Sequence, residues 1–335
     1  MPPSSESSLG KRLAFSLIPF VVVFGAAEAG LRGAGWPPIE AAFEHNEVFW
    51  TADPDLQQFP MNHNEEGKTF PVSTNADGLR PPFHEIERTP DTTRIMALGC
   101  STTFGWGVKD DETYPARLAL ELQSRGYNNV EVINGGQPGY TTFQGQWLWD
   151  HTTRHYRPDV VLVGYVVQDA RKAAYSDRSQ ALLQQDGRFL KDNVLYKSKV
   201  YLMLRSLLGG VQIRAKERGQ GDEGGEFRVP PADYVDNLRG LVTSIRDQGA
   251  KPVLFGYPLE REGYTRTHRV ILEAAAAELD IPYLNPQPRM DEASRTQQLY
   301  FAQDRGHANA AGNALIAMWV AEFLESENLL GGEKP

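Results

Sequence analysis

A chain of 335 residues is long enough for one large α/β domain with appendages or for two small domains, and its 41% hydrophobic and 23% charged content shows no collagen-like, coiled-coil or wholly disordered bias. The formal net charge of −9, with no clustered basic face, sets nucleic acid aside as a partner. Cys100 is the single cysteine, so no intramolecular disulfide can form and cysteine usage does not report the redox compartment.

In chain order, Lys11 and Arg12 precede an almost wholly apolar run from Leu13 to Ala27. Two readings fit: an uncleaved membrane anchor continuing through Gly30 and Leu31 to Arg32, and a signal peptide cleaved at Ala27-Glu28-Ala29. Both predict export, because basic residues come before the apolar run and Glu40, Glu44 and Glu47 follow it. The expectation is a tail and membrane segment over 1–35, with the rest of the chain in the periplasm or on the cell surface. Residues 36–90, rich in Pro, Asn, His and acidic side chains without a period, read as an irregular extension.

Regular alternation starts at Thr93 and defines a main domain over 91–326, followed by a tail at 327–335. Arg94 to Leu98, ending at Gly99, reads as a buried parallel strand, and Tyr114 to Arg125 as a helix with Pro115 near its start and Gly126 as its stop. Val130 to Ile133 and Val160 to Val163 read as strands, with a helix from Phe143 to Tyr156 between them. The stretch 170–229 is too long for a plain connection and reads as an insertion with local helices, either a cover for a site or a packing decoration. Further helices are expected at Ala232–Gln248, Thr267–Leu279 and Ala310–Glu325, with strands at Pro252–Tyr257 and Pro282–Asn285. This pattern predicts a three-layer α/β/α fold on a parallel, flavodoxin-like sheet of about five strands.

Strand ends at one edge of such a sheet converge, and four short motifs fall there. Gly99-Cys100-Ser101-Thr102-Thr103-Phe104-Gly105 follows the first strand, Asn134-Gly135-Gly136-Gln137-Pro138-Gly139-Tyr140 the second and Gln168-Asp169 the third, while Asp304-Arg305-Gly306-His307 comes after the last. A serine hydroxyl needs an imidazole to take its proton, and the imidazole needs a carboxylate to fix its tautomer; Ser101, His307 and Asp304 supply the three groups. Taken singly, each has a plainer reading: Ser101 as a helix-entry cap, His307 as a residue before a helix capped by Asn309, Gly139 as part of a Pro-Gly turn, Gln168 as a spectator. Their coincidence favours a site.

These motifs, in this order, resemble the SGNH or GDSL-like hydrolase superfamily over roughly Thr93 to Glu325. Asn75-Ala76-Asp77-Gly78-Leu79-Arg80 and Arg228-Val229-Pro230 resemble a membrane-anchored bacterial branch of it. The resemblance implies Ser101 as nucleophile, His307 as general base, Asp304 as its orienting acid, and an oxyanion hole from the Ser101 and Gly139 N–H groups with a third donor at Gln168. The chain departs from the family pattern at Cys100, where Asp is usual, and at Gln168, where Asn is usual. The Ser-x-Gly elbow of the α/β-hydrolases is absent, since Thr102 and Thr103 follow Ser101.

Other candidates read as structural. His151 and His155, four apart on a helix, lack further ligands for a metal, and Lys68-Thr69 after Gly67 lacks the earlier glycine of a phosphate loop. Trp106, Trp147 and Trp149 read as core before groove lining. The expectation is therefore an exported serine esterase that needs no metal or organic cofactor and acts on an ester or acylated carbohydrate. Alternatives are a cell-envelope polysaccharide O-acyltransferase and, given Cys100 and Gln168, an inactive binding or assembly protein of the same fold.

Overall fold

The computed structural model describes residues 7–34, 57–60, 69–173, 175–185, 198–201, 203–204, 225–261, 263–302 and 304–330. Most of the expected insertion, and the extension at 35–56 and 61–68, lie outside the described residues. The chain forms two compact units, residues 1–47 with 181–224, and residues 48–180 with 225–335.

In the first unit a helix, α1 (Ser7–Gly33), covers the apolar run, with Pro19 inside it and a Glu28–Arg32 ion pair of 2.7 Å in its last turns. Among the described residues no helix is long and apolar enough to cross a membrane, so the expected span finds no support in the fold. Glu28, in the stretch read as a cleavage site, accepts hydrogen bonds from the Lys199 and Val200 N–H groups and from Ser198 Oγ, each 3.0 Å. Those N–H groups pull its carboxyl down to about 2. Glu28 thus ties the N-terminal helix to the backbone at Ser198–Val200.

The second unit opens with an antiparallel hairpin of β1 (Gln57–Pro60) and β2 (Thr69–Val72) in the segment expected to be irregular. Each strand has only four residues, too short to show a period, and the pairing crosses an eight-residue connection. Phe70 and Val72 pack on Phe104 and Trp106.

The main sheet holds five parallel strands: β3 (Thr93–Gly99), β4 (Val130–Gly136), β5 (Val160–Gly164), then β8 (Lys251–Phe255) and β9 (Tyr283–Leu284), after the two-residue pair β6 (Lys172–Ala173) and β7 (Glu226–Phe227). Their order is β4-β3-β5-β8-β9, the flavodoxin-like 2-1-3-4-5 arrangement. The pleat sends alternate residues to opposite layers: Ile95, Ala97, Val160, Leu162 and Val253 to one core, Met96, Leu98, Val161, Val163 and Leu254 to the other.

Between β3 and β4 lie α2 (Ser101–Phe104) and α3 (Tyr114–Ser124); α4 (Thr142–His151) precedes β5 and α5 (Asp177–Gln185) follows β6. The later helices are α6 (Pro231–Asp247), α7 (Arg266–Leu279), α8 (Gln287–Ala293) and α9 (Ala310–Ser326). Leu118 and Leu122 of α3 meet Ile316, Val320 and Leu324 of α9 in the first core, while Trp149 of α4, Leu238 and Leu241 of α6 and Leu272 of α7 fill the second. Each such aliphatic side chain contributes about 1.5–3 kcal/mol by leaving water, which is why the amphipathic stripes dictate the layers. Caps set the boundaries: Thr113 accepts from Ala116 N–H at 3.3 Å, and Asn309 from Gly312 N–H at 3.0 Å.

The helix expected to reach Tyr156 ends at His151, and a 3-10 turn, Thr153–Tyr156, follows. Its Tyr156 is claimed from outside, donating to Asp77 Oδ2 at 2.6 Å and accepting at its carbonyl from Arg94 at 2.9 Å. Of the tryptophans, Trp149 is core, and Trp147 stacks on His151 with ring centroids 4.8 Å apart.

Candidate active site

The turn after β3 is built by close approach. A Cβ at Gly99 would collide with the Thr103 side chain, and one at Gly136 with the Phe104 backbone, so only glycine lets the strand end fold straight into α2. Gly99 stands in register with Gly136 of β4 and Gly164 of β5, so the segments after both neighbours flank Ser101. Gln137 N–H ties the first of them to Gly99 O at 3.0 Å.

Cys100 occupies the position before the serine as a core residue, wholly buried, with Sγ 3.3 Å from Thr102 Oγ1. Burial pushes its thiol up from the usual range, which makes it a poor nucleophile. The turn is held instead from outside the motif. Arg80, fully buried, donates to the carbonyls of Phe104 (2.9 Å), Gly105 (2.9 Å) and Val108 (3.1 Å) and pairs with Asp110 at 2.5 Å. Gly105 and Trp106 N–H both return to Ser101 O at 3.0 Å.

The loop between α8 and α9 delivers the other two groups. His307 Nε2 lies 2.8 Å from Ser101 Oγ, and its Nδ1 lies 2.7 Å from Asp304 Oδ2. A carboxylate only accepts, so Nδ1 carries the proton and Nε2 is left to take the serine proton. Asp304 Oδ1 accepts from Gly306 N–H at 3.1 Å, which fixes the acid, and the Trp106 ring stands 6.5 Å from the imidazole. A cavity of about 470 Å³ lies against the same loop, lined by Arg295, Gln297, Gln298, Tyr300, Phe301 and Arg305 among others.

A sequence model of the GDSL-like Lipase/Acylhydrolase family matches residues 97–315, a span that contains Ser101, Asp304 and His307 but not Arg80. The chain belongs to that family. The chain is also 25% identical, over 171 residues and 41% of its length, to a multidomain esterase of Ruminococcus flavefaciens, the match spanning 22% of that protein. It shares its fold with the lipase/acylhydrolase from Enterococcus faecalis, at a TM-score of 0.50 and 15% identity, with 73% of this chain and 100% of that one covered.

At the remaining expected positions the chain shows a network that the motifs did not announce. Gly139 sits at φ +81°, and its carbonyl accepts from Arg228 Nη1 at 2.7 Å. The same nitrogen donates to Gln168 Oε1 at 3.2 Å. Arg228 was visible in the sequence only as a member of a resemblance motif, with no role attached. A charged residue bordering a long insertion reads as solvated surface until its partners are known.

Asp169 is fully buried, accepting from Thr142 N–H (2.8 Å) and Thr142 Oγ1 (2.6 Å) through Oδ1. Burial pushes its carboxyl from 3.8 up to about 7, against the pull of the Thr142 hydrogen bonds. The folded chain therefore holds this proton across a range where the unfolded chain has released it. The stability it contributes is full below about pH 4 and is lost as pH rises through about 7. Asp169→Asn, which mimics the protonated form, is expected to gain stability relative to wild type progressively from pH 4 to pH 7 in denaturant titrations. A difference that stays constant across that range would refute the assignment.

Proposed function

We propose that this hydrolase cleaves esters by a two-step mechanism through Ser101, His307 and Asp304. Ser101 Oγ attacks the ester carbonyl carbon while His307 Nε2 takes its proton; the carbonyl π bond opens to an oxyanion. Collapse breaks the bond to the alkoxy group, which leaves as an alcohol with the proton from His307, and an acyl-Ser101 ester remains. Water then attacks that ester with the same imidazole as base, releasing the carboxylic acid and restoring the serine. Asp304 holds the tautomer and stabilises the imidazolium. The Ser101 and Gly139 N–H groups and the Gln168 amide are the oxyanion donors.

The observation that carries this reading is the unbroken chain from Ser101 Oγ through His307 to Asp304, 2.8 Å and 2.7 Å, assembled from residues 206 and 3 apart in sequence. The cavity beside the His307 loop combines charged and amide side chains with Leu299, Tyr300 and Phe301 in its wall, and the substrate class in this reading is an ester or O-acyl carbohydrate. The same reading sets the hydrolase outside the cytoplasm, supported by the order of Lys11 and Arg12, the apolar run and Glu40, Glu44 and Glu47.

The test is covalent. The full chain treated with a fluorophosphonate is expected to gain one adduct, mapped by mass spectrometry to Ser101 and missing from Ser101→Ala. No adduct, together with no turnover of acetyl to decanoyl nitrophenyl esters, would leave a binding or assembly role as the better account. Acyl transfer to added sugar faster than to water would turn the assignment from hydrolase to acyltransferase.

A further inference from the structure

We propose that Arg228 is a positioning residue of the oxyanion hole, one guanidinium that orients both the Gln168 amide and the Gly139 turn. The inference rests on the hydrolase reading above and gives the unusual Gln168 a reason.

Arg228 reaches four residues with three nitrogens. Nη1 donates to Gly139 O (2.7 Å) and Gln168 Oε1 (3.2 Å), Nη2 to Gln144 Oε1 (3.0 Å) and Asp177 Oδ2 (2.8 Å), and Nε to Asp177 Oδ1 (2.9 Å). The fork-to-fork pair with Asp177, whose side chain is only 4% exposed, fixes the plane of the guanidinium. Thr141 Oγ1 in turn donates to Asp177 Oδ2 at 2.8 Å. The backbone is pinned on both sides: Arg228 N–H donates to Arg171 O and its carbonyl accepts from Asp177 N–H, both 2.8 Å, while the Val229 carbonyl lies 2.8 Å from His268 Nε2. The head group therefore has little freedom to move away from Gly139 and Gln168.

A guanidinium only donates, so the atom of Gln168 facing it must be the carbonyl oxygen, and the NH2 group is turned the other way. Among the described residues that NH2 donates to nothing, which leaves it available to a developing oxyanion. Hydrogen bonding at the amide oxygen also polarises the N–H bonds and strengthens them as donors. Asparagine at 168 would be one methylene short of the Arg228 contact. Glutamine supplies the reach to be held at its oxygen and still donate from its nitrogen.

The experiment measures kcat and KM on nitrophenyl acetate with the full chain, for Arg228→Lys, Arg228→Met, Gln168→Ala and the Arg228→Met/Gln168→Ala double variant, alongside thermal unfolding. Loss of one oxyanion donor costs about 10²–10³-fold in rate. Gln168→Ala is expected to lose about 10²-fold in kcat, and each Arg228 variant about 10–10²-fold, with KM within about threefold. The double variant should lose at least about tenfold less than the product of the single losses, because both changes act on one donor. Arg228→Lys keeps the ion pair with Asp177 but cannot span Gly139 and Gln168 together, so it covers the case in which Arg228→Met fails to fold. Wild-type kcat in the Arg228 variants, an effect confined to KM, or losses that multiply in the double variant would each overturn the positioning role. A wild-type chain with neither turnover nor fluorophosphonate labelling would overturn the hydrolase reading, and this one with it.

Discussion

His307→Ala is expected to lower kcat on a nitrophenyl ester by about 10⁴–10⁶-fold, with Ser101→Ala falling by a similar factor and the double variant no further. The reason lies in the relay. Without the imidazole 2.8 Å away, the Ser101 hydroxyl keeps its proton at neutral pH, and without the hydroxyl the imidazole has nothing to activate. Groups that act as one unit are removed only once. Asp304→Asn should cost about 10⁴-fold, because an amide can donate towards Nδ1 and so favour the wrong tautomer. KM should move little, since none of the three holds the rest of the substrate. These are steady-state measurements on purified full chain; a kcat within tenfold of wild type in His307→Ala would remove the base from the mechanism.

Arg80→Met carries the largest expected cost in stability, on the order of 3 kcal/mol, because it removes the main donor of three buried carbonyls and of a part-buried carboxylate. The substitution keeps much of the volume but takes the guanidinium from the part-buried Asp110 carboxylate and from three carbonyls, leaving Phe104 O with a 3.4 Å contact from Asn134 Nδ2, Gly105 O with a 3.3 Å one from Val108 N–H, and Val108 O without its donor. Burial already pulls the Arg80 pKa down while Asp110 pushes it back, so the charge is tolerated only because it is fully partnered. Asp110 also accepts from Ser73 N–H at 3.1 Å, so the loss would spread to the segment after the hairpin. Catalysis should fall as well, because the carbonyls Arg80 holds belong to the turn whose N–H groups return to Ser101 O. Urea unfolding of the two proteins measures the cost; a difference below about 1 kcal/mol would show that water replaces the guanidinium without penalty.

Much of the fold and of the candidate site is legible in the sequence. Val160 to Val163, a continuous apolar run rich in valine, reads as a strand buried on both faces, and Pro115 and Asn309 mark helix starts by local chemistry. Ser101 and the Asp304–His307 pair were readable because a triad needs few residue types and the family order is fixed. The hairpin at Gln57–Pro60 and Thr69–Val72 was not, since four residues carry no measurable period. Nor was helix α8, a single short element between two loops.

The linear order of apolar, capping and turn residues is thus enough to dictate a doubly wound α/β domain and to nominate its nucleophile, acid and base, because those signals act over a few neighbours. The duties of Arg80, Asp169 and Arg228 became decidable only in the folded chain. Along the sequence each is an ordinary charged residue, for which solvent is the default partner. Burial and the identity of the opposite group depend on which segments, 27 to 89 residues away, close around them, and it is that closure that turns an ordinary charge into a hydrogen-bonded hub.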